Sequence, residues 1–227
     1  MSLLDFARGP GLAFALAFFV AVTAWRLVAI ALLRNNRDFS EPRNIAAWKG
    51  LRLIALRSVP RREFLAGSAF SEIIGYTFHI GLLAVLFFYV PHTTFFAEVL
   101  DGLTGTRMRI GAGWPTLPTG VATTLTVISL AALLVALVHR LINPVKRLIS
   151  NFDDYFSWFL TAAPLATGLV AHASVGGPHE EAVLAFHLLT VDALLIWFPC
   201  GKLMHAFMLF AARGTTGVLF ERKGAAL

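Results

Sequence analysis

Polar and apolar positions along this chain fall into a few long blocks. Five stretches, roughly residues 11–33, 73–95, 118–138, 155–172 and 182–211, are almost continuously apolar. A helix that crosses a bilayer needs about 20 predominantly apolar residues, so the pattern predicts five crossings. Residues 44–58 differ: apolar side chains alternate there with Lys49, Arg52 and Arg57, and Pro60 follows. This segment reads as an amphipathic helix lying in the cytoplasmic interface or packing on a partner, with a solvated loop as the plainer alternative. The 96–117 segment holds Gly102, Gly105, Gly111, Gly113, Pro115 and Pro118 and is expected to be irregular, with a short helix near Phe95–Leu100. The connections at 140–152 and 173–180 are short, which makes the last three helices antiparallel neighbours.

Composition agrees with a bilayer. Of 227 residues, 57% are hydrophobic and 14% charged, at a mean hydropathy of +0.73. A soluble domain of this length could not hide so much apolar surface. The expected fold is an all-α integral membrane protein, a five-transmembrane-helix bundle forming a single membrane domain over residues 1–227. The first apolar run is too long for a signal-peptide core and no A-x-A-like cleavage site follows it, so it reads as a retained helix.

The net charge of +6 is distributed by topology and does not suggest nucleic acid. Arg34, Arg37, Arg43, Lys49, Arg52, Arg57, Arg61 and Arg62 crowd the first connection, while Arg140, Lys146 and Arg147 follow the third helix and Arg213, Arg222 and Lys223 the fifth. The positive-inside rule then places the N-terminus outside and the C-terminus in the cytoplasm of a multi-pass protein of the bacterial cytoplasmic membrane. The basic patch also suits lipid headgroups and a cytoplasmic partner. The single cysteine, Cys200, excludes an internal disulfide, a CxxC site, a cysteine-ligated cluster within the chain and covalent c-type haem attachment.

Against this background four histidines stand out: His79 and His92 in the second apolar stretch, His187 and His205 in the fifth. An ionisable ring in the hydrocarbon is costly and points to function. His187 and His205 are 18 residues apart, five whole turns of a continuous helix, which puts them on one face about 27 Å apart. His79 lies near the cytoplasmic depth of His205. His92, about 20 Å further along, approaches the depth of His187, although 13 residues of ideal helix turn the two rings about 140° apart. Pro91 removes a backbone donor and kinks the last turn, a means of re-aiming His92. Two such helices suit two haems stacked across the bilayer, each iron taking one ring from each helix. His172, at the outer end of the fourth helix, is the reserve ligand. His139 reads as an interfacial residue and His179 as a solvated one. Arg26 and Lys202 are intramembrane cations that either meet haem propionates or snorkel to the headgroups. The acids within the spans are Glu72 and Asp192.

These residues resemble the respiratory nitrate reductase gamma-subunit family of five-helix dihaem cytochromes b. The likeness rests on Trp25-Arg26, on Phe78-His79-Ile80-Gly81, on Arg140-Leu141 with Pro144, and most specifically on Phe198-Pro199-Cys200-Gly201-Lys202-Leu203-Met204-His205 with His187 at the family's spacing. It implies two non-covalent b haems. His79 and His205 would ligate the inner one, and His187 one side of the outer one, beside which quinol is oxidised. Where the family carries its second helix-two histidine this chain has Tyr89, and His92 stands three residues on. That departure resembles relatives in other complexes, in particular the cytochrome b subunit of Dsr-type membrane complexes of sulfur metabolism. There the cytochrome sits on a cytoplasmic iron–sulfur subunit resembling heterodisulfide reductase, with other membrane and periplasmic subunits. The implied role is an electron-transfer subunit of a quinone-linked oxidoreductase, with no substrate chemistry in this chain alone. Arg107 and Arg109 are candidate quinone contacts. Two rivals remain: a haem-free anchor that binds quinone only, and a proton-coupled transporter with a histidine relay.

Overall fold

A computed structural model describes residues 1–33, 48–56, 58, 65–105 and 114–223. Among them the chain is helical, with no strand. The helices are α1 (Leu3–Ala31), α2 (Trp48–Leu56), α3 (Leu65–Phe88), α4 (Val90–Thr104), α5 (Thr119–Ile142), α6 (Pro144–Leu148), α7 (Phe152–Ala173), α8 (Glu180–Trp197) and α9 (His205–Arg222). Five segments are long and apolar enough to cross a membrane: Leu3–Ala31, Ala66–Phe88, Thr119–Ile142, Phe152–Ala173 and Lys202–Phe220. Large apolar side chains such as Phe14, Trp25, Ile73, Ile80 and Phe159 face outward. Ser129, Thr126, Ser157, Thr161 and Asp192 are buried instead. Apolar outside and small polar inside is the arrangement a lipid solvent selects.

Two predicted helices are interrupted. The second apolar stretch starts earlier than expected, at Leu65, and breaks at Tyr89, whose backbone is extended (φ −74°, ψ 128°). The chain then re-enters helix at Val90 with Pro91 in its first turn, and that helix runs to Thr104, longer than the short helix expected near Phe95–Leu100. The fifth stretch, expected to be continuous over 182–211, divides into α8 and α9 around a turn at Phe198–Gly201 and a 3₁₀ turn, Lys202–Met204. Pro199 cannot donate to the helix ladder and Gly201 is extended (φ −103°, ψ −166°), so the single five-turn register between His187 and His205 does not hold.

The chain divides into two compact units, one of Met1–Ala69, Phe152–Leu160 and Leu188–Leu227, the other of Phe70–Asn151 and Thr161–His187. In the first, α1 opens with a capping box: Ser2 Oγ accepts from Asp5 N–H (3.1 Å) and Asp5 Oδ2 accepts from Ser2 N–H (2.9 Å). A π turn, Ala7–Gly11, then accommodates Pro10. Phe19, Phe198 and Phe207 form a cluster with ring centroids 5.5–6.0 Å apart. The amphipathic helix α2 packs on α9. Its Leu53 is buried, Ile54 lies against Gly214, and Arg213 donates to Ser58 Oγ (3.1 Å), while Trp48 and Leu51 remain exposed.

In the second unit α3 and α5 approach closely at Gly81. A methyl group there would lie 2.1 Å from Ser129 Oγ, so only glycine permits the contact. His139 stacks edge-on against Phe70 (4.7 Å) and its Nδ1 lies 3.3 Å from Lys146 Nζ, which also donates to Ser71 Oγ. Asn143 caps α6 by accepting from Lys146 N–H.

Candidate functional site

The break at Tyr89 is held by groups from the following loop. Pro91 has no N–H, so the carbonyl four residues before it, on Phe87, loses its helical donor. Trp114 Nε1 donates to that oxygen (2.8 Å), and Leu117 N–H donates to the next one, on Phe88 (2.8 Å). The rerouted backbone turns the His92 ring back along α3, where its Nδ1 donates to the Val85 carbonyl (3.0 Å).

This brings His92 and His187 together. Their ring centroids are 6.4 Å apart and their planes differ by 17°. Ring contact would need a separation nearer 4 Å. Two imidazole nitrogens on opposite sides of one metal sit about 4 Å apart at about 2 Å per bond. Adding about one ångström from each nitrogen to its ring centre gives roughly 6 Å. His187 Nδ1 lies 3.1 Å from Thr167 Oγ1, whose own hydrogen is directed to the Ala163 carbonyl (2.8 Å), so the threonine oxygen accepts from the ring. The bond to the Val85 carbonyl holds His92 as the Nδ1–H tautomer, the form in which Nε2 is the ligating nitrogen, and the Thr167 contact suits the same form at His187. Gly168 leaves room for the ring: a methyl group there would lie 3.2 Å from His187 Cε1.

His172, the reserve ligand, has another partner. Its Nδ1 meets the Tyr89 hydroxyl at 3.2 Å, and the Tyr89 ring stands edge-on to both His92 (5.3 Å) and His172 (6.3 Å). Tyr89 thus lies between His92 and His172. His179 is exposed in its turn.

Of the other two histidines, His79 stands in the second unit and His205 in the first. Each is anchored in the same way. His79 Nδ1 donates to Gly75 O (2.7 Å), and His205 Nδ1 donates to Lys202 O (2.9 Å) at the start of α9. The turn before His205 is built by residues remote in sequence. Arg26 Nη1 donates to Pro199 O, Asp153 Oδ2 accepts from Lys202 N–H (2.9 Å), and Trp197 Nε1 donates to Ser157 Oγ (2.9 Å). Lys202, expected to meet either a propionate or the headgroups, forms an ion pair with Asp154. Arg26 meets a neutral carbonyl, which orients its charge, and no anionic partner for it is seen among the described residues. Arg107 and Arg109 lie outside the described residues, as do most of the basic residues of the first connection.

Among the described residues no group of three or more His, Cys, Asp or Glu side chains is placed to hold a bare metal ion. Two imidazoles alone would hold only a metal whose remaining ligands come from a bound group, such as a haem. Pattern reading found the histidines, but Thr167, Gly168, Val85 and Asp153 carry no local signal, because they act through helices far away in sequence.

No family model matches the chain. Over 154 residues, 68% of its length, it is 32% identical to a protein of Nitratidesulfovibrio vulgaris whose name states no activity. The chain spans 63% of that protein's length, less than two thirds.

Proposed function

We propose that this chain is a membrane cytochrome b subunit that carries electrons between the quinone pool and an iron–sulfur partner. His92 and His187 would hold the iron of an outer haem b. The single observation that carries this reading is the 6.4 Å, near-parallel separation of those two rings. Bound there, a haem would supply a reversible one-electron iron couple. The chain's own residues do the rest. The Val85 carbonyl and the Thr167 hydroxyl orient the ligand rings and raise their basicity, and Gly168 keeps space beside His187.

His79 and His205 are the ligands that the family resemblance implies for an inner haem, and their Nδ1 anchors impose the same ligand tautomer. Arg26, at the turn before His205 and with no anionic partner seen among the described residues, suits a propionate; Lys202, paired with Asp154, is not needed for that task.

The exposed apolar helix faces support a lipid environment, here the bacterial cytoplasmic membrane. The charge asymmetry supports an N-terminus outside and a C-terminus inside. Quinone reacts near the outer haem in this reading. The partner is a cytoplasmic iron–sulfur subunit resembling heterodisulfide reductase, and the displacement of the second helix-two histidine past Tyr89 favours a Dsr-type complex of sulfur metabolism. Pyridine haemochrome analysis of the purified chain tests the reading: two b haems per chain with bis-histidine spectra are expected, and a chain without haem ends it in favour of an anchor.

A further inference from the structure

Asp192 lies in the second half of α8, five residues after His187, about 7.5 Å along the helix axis and about 140° round it. It is only 6% exposed, and neither carboxyl oxygen has a hydrogen-bond partner among the described residues. The backbone of α1 comes up against it at Gly11, where a methyl group would sit 3.1 Å from Oδ2 and 3.0 Å from the Phe6 carbonyl oxygen. Gly11 closes the π turn that contains Pro10, an irregularity of the kind that often marks functional positions in helices. The charged groups on that part of α1 are Asp5 and Arg8, both exposed, and those on α8 are His187 and, at its start, Glu180 and Glu181. None of them is paired with Asp192. An ionised carboxylate without a partner is the costliest state of this side chain in such a place, and a proton removes that cost.

We propose that Asp192 is a redox-linked proton-binding residue. The inference rests on the outer haem assigned above and goes beyond it. A cationic centre held by His187, five residues before Asp192 on α8, would favour the carboxylate in the oxidised protein. Arrival of one electron at that centre removes one positive charge, and the carboxylate then takes one proton from solvent. Loss of the electron releases that proton. The haem electron is supplied by quinol, which is itself oxidised with release of its protons, so charge and protons balance at each step. Asp192 is a positioning and proton-holding residue here, and it ligates nothing.

The test is a redox titration of the outer haem at several pH values in the detergent-solubilised full chain, with infrared difference spectroscopy of the same samples. The wild type is expected to show a midpoint potential that falls as pH rises. On reduction it should gain a protonated-carboxyl C=O band that shifts in D₂O. Asp192→Asn should lose both the slope and the band while keeping the haem, and Asp192→Glu should retain them. Should Asp192→Asn fail to assemble, Gly11→Ala, which presses on Oδ2, should displace the band and shift the pH range of the slope. A haem whose potential keeps the same slope in Asp192→Asn overturns this inference and leaves the cytochrome reading intact. A chain that binds no haem overturns both.

Discussion

The imidazoles of His92 and His187 face one another at 6.4 Å with planes 17° apart, although 95 positions separate them in the chain. What aligns them is the break at Tyr89. On an uninterrupted helix His92 would point about 140° away from His79. With Pro91 in the first turn of α4, the ring is swung back onto the Val85 carbonyl instead.

Removing either ring should therefore remove one haem and leave the other. His92→Ala and His187→Ala are expected to halve the haem content per chain, whereas His172→Ala should retain both haems because His172 is engaged by Tyr89. Haem-to-protein ratios and low-temperature spectra measure this. Full haem content in His187→Ala would remove the assignment.

His205→Ala and His79→Ala should each abolish the inner haem selectively. Redox titration of the remaining centre distinguishes the two sites, and persistence of two centres in either variant would contradict the pairing.

Gly168→Ala places a methyl group 3.2 Å from His187 Cε1. The ring must tilt by a few tenths of an ångström, so the expected outcome is a haem that still binds, with a shifted low-spin electron paramagnetic resonance signal. An unchanged signal would show that Gly168 does not constrain the ring.

Gly201 is more tightly enclosed. A methyl group there would lie 2.6 Å from both Asp153 Oδ1 and Trp197 Nε1, and Trp197 is itself held by Ser157. Overpacking of this kind costs about 1–3 kcal/mol, so Gly201→Ala should lower the thermal midpoint measurably. Asp153→Ala, which uncaps Lys202 N–H, should cost about 1 kcal/mol by analogy with lost helix caps. Asp154→Asn, which breaks an ion pair whose lysine is half exposed, should cost no more than about 1 kcal/mol. Thermal unfolding in detergent ranks the three; an Asp154 variant weaker than the Gly201 variant would reverse this account of the turn.

Much of this was legible in the chain itself. The long apolar runs predict spanning helices, and the structure has five helices long and apolar enough to cross a membrane. The positions of the four histidines and the presence of Pro91 follow from residue identity and local backbone chemistry. Asp192 was visible as an acid within an apolar stretch. Continuity was the point of failure, since 182–211 reads as one helix while the chain turns at Phe198–Gly201.

The physical reason is that a proline within an apolar run strands a carbonyl, and whether the helix kinks, breaks or continues depends on what satisfies the backbone groups around it. At Pro91 those partners are Trp114 and Leu117; at Pro199 they are Arg26 and Asp153. None lies within the helix it stabilises. Local periodicity determined which stretches are long and apolar enough to cross a membrane and where the histidines stand within them. Only the tertiary structure, by supplying distant donors and acceptors to interrupted backbone, decided where the helices end and which way His92 points.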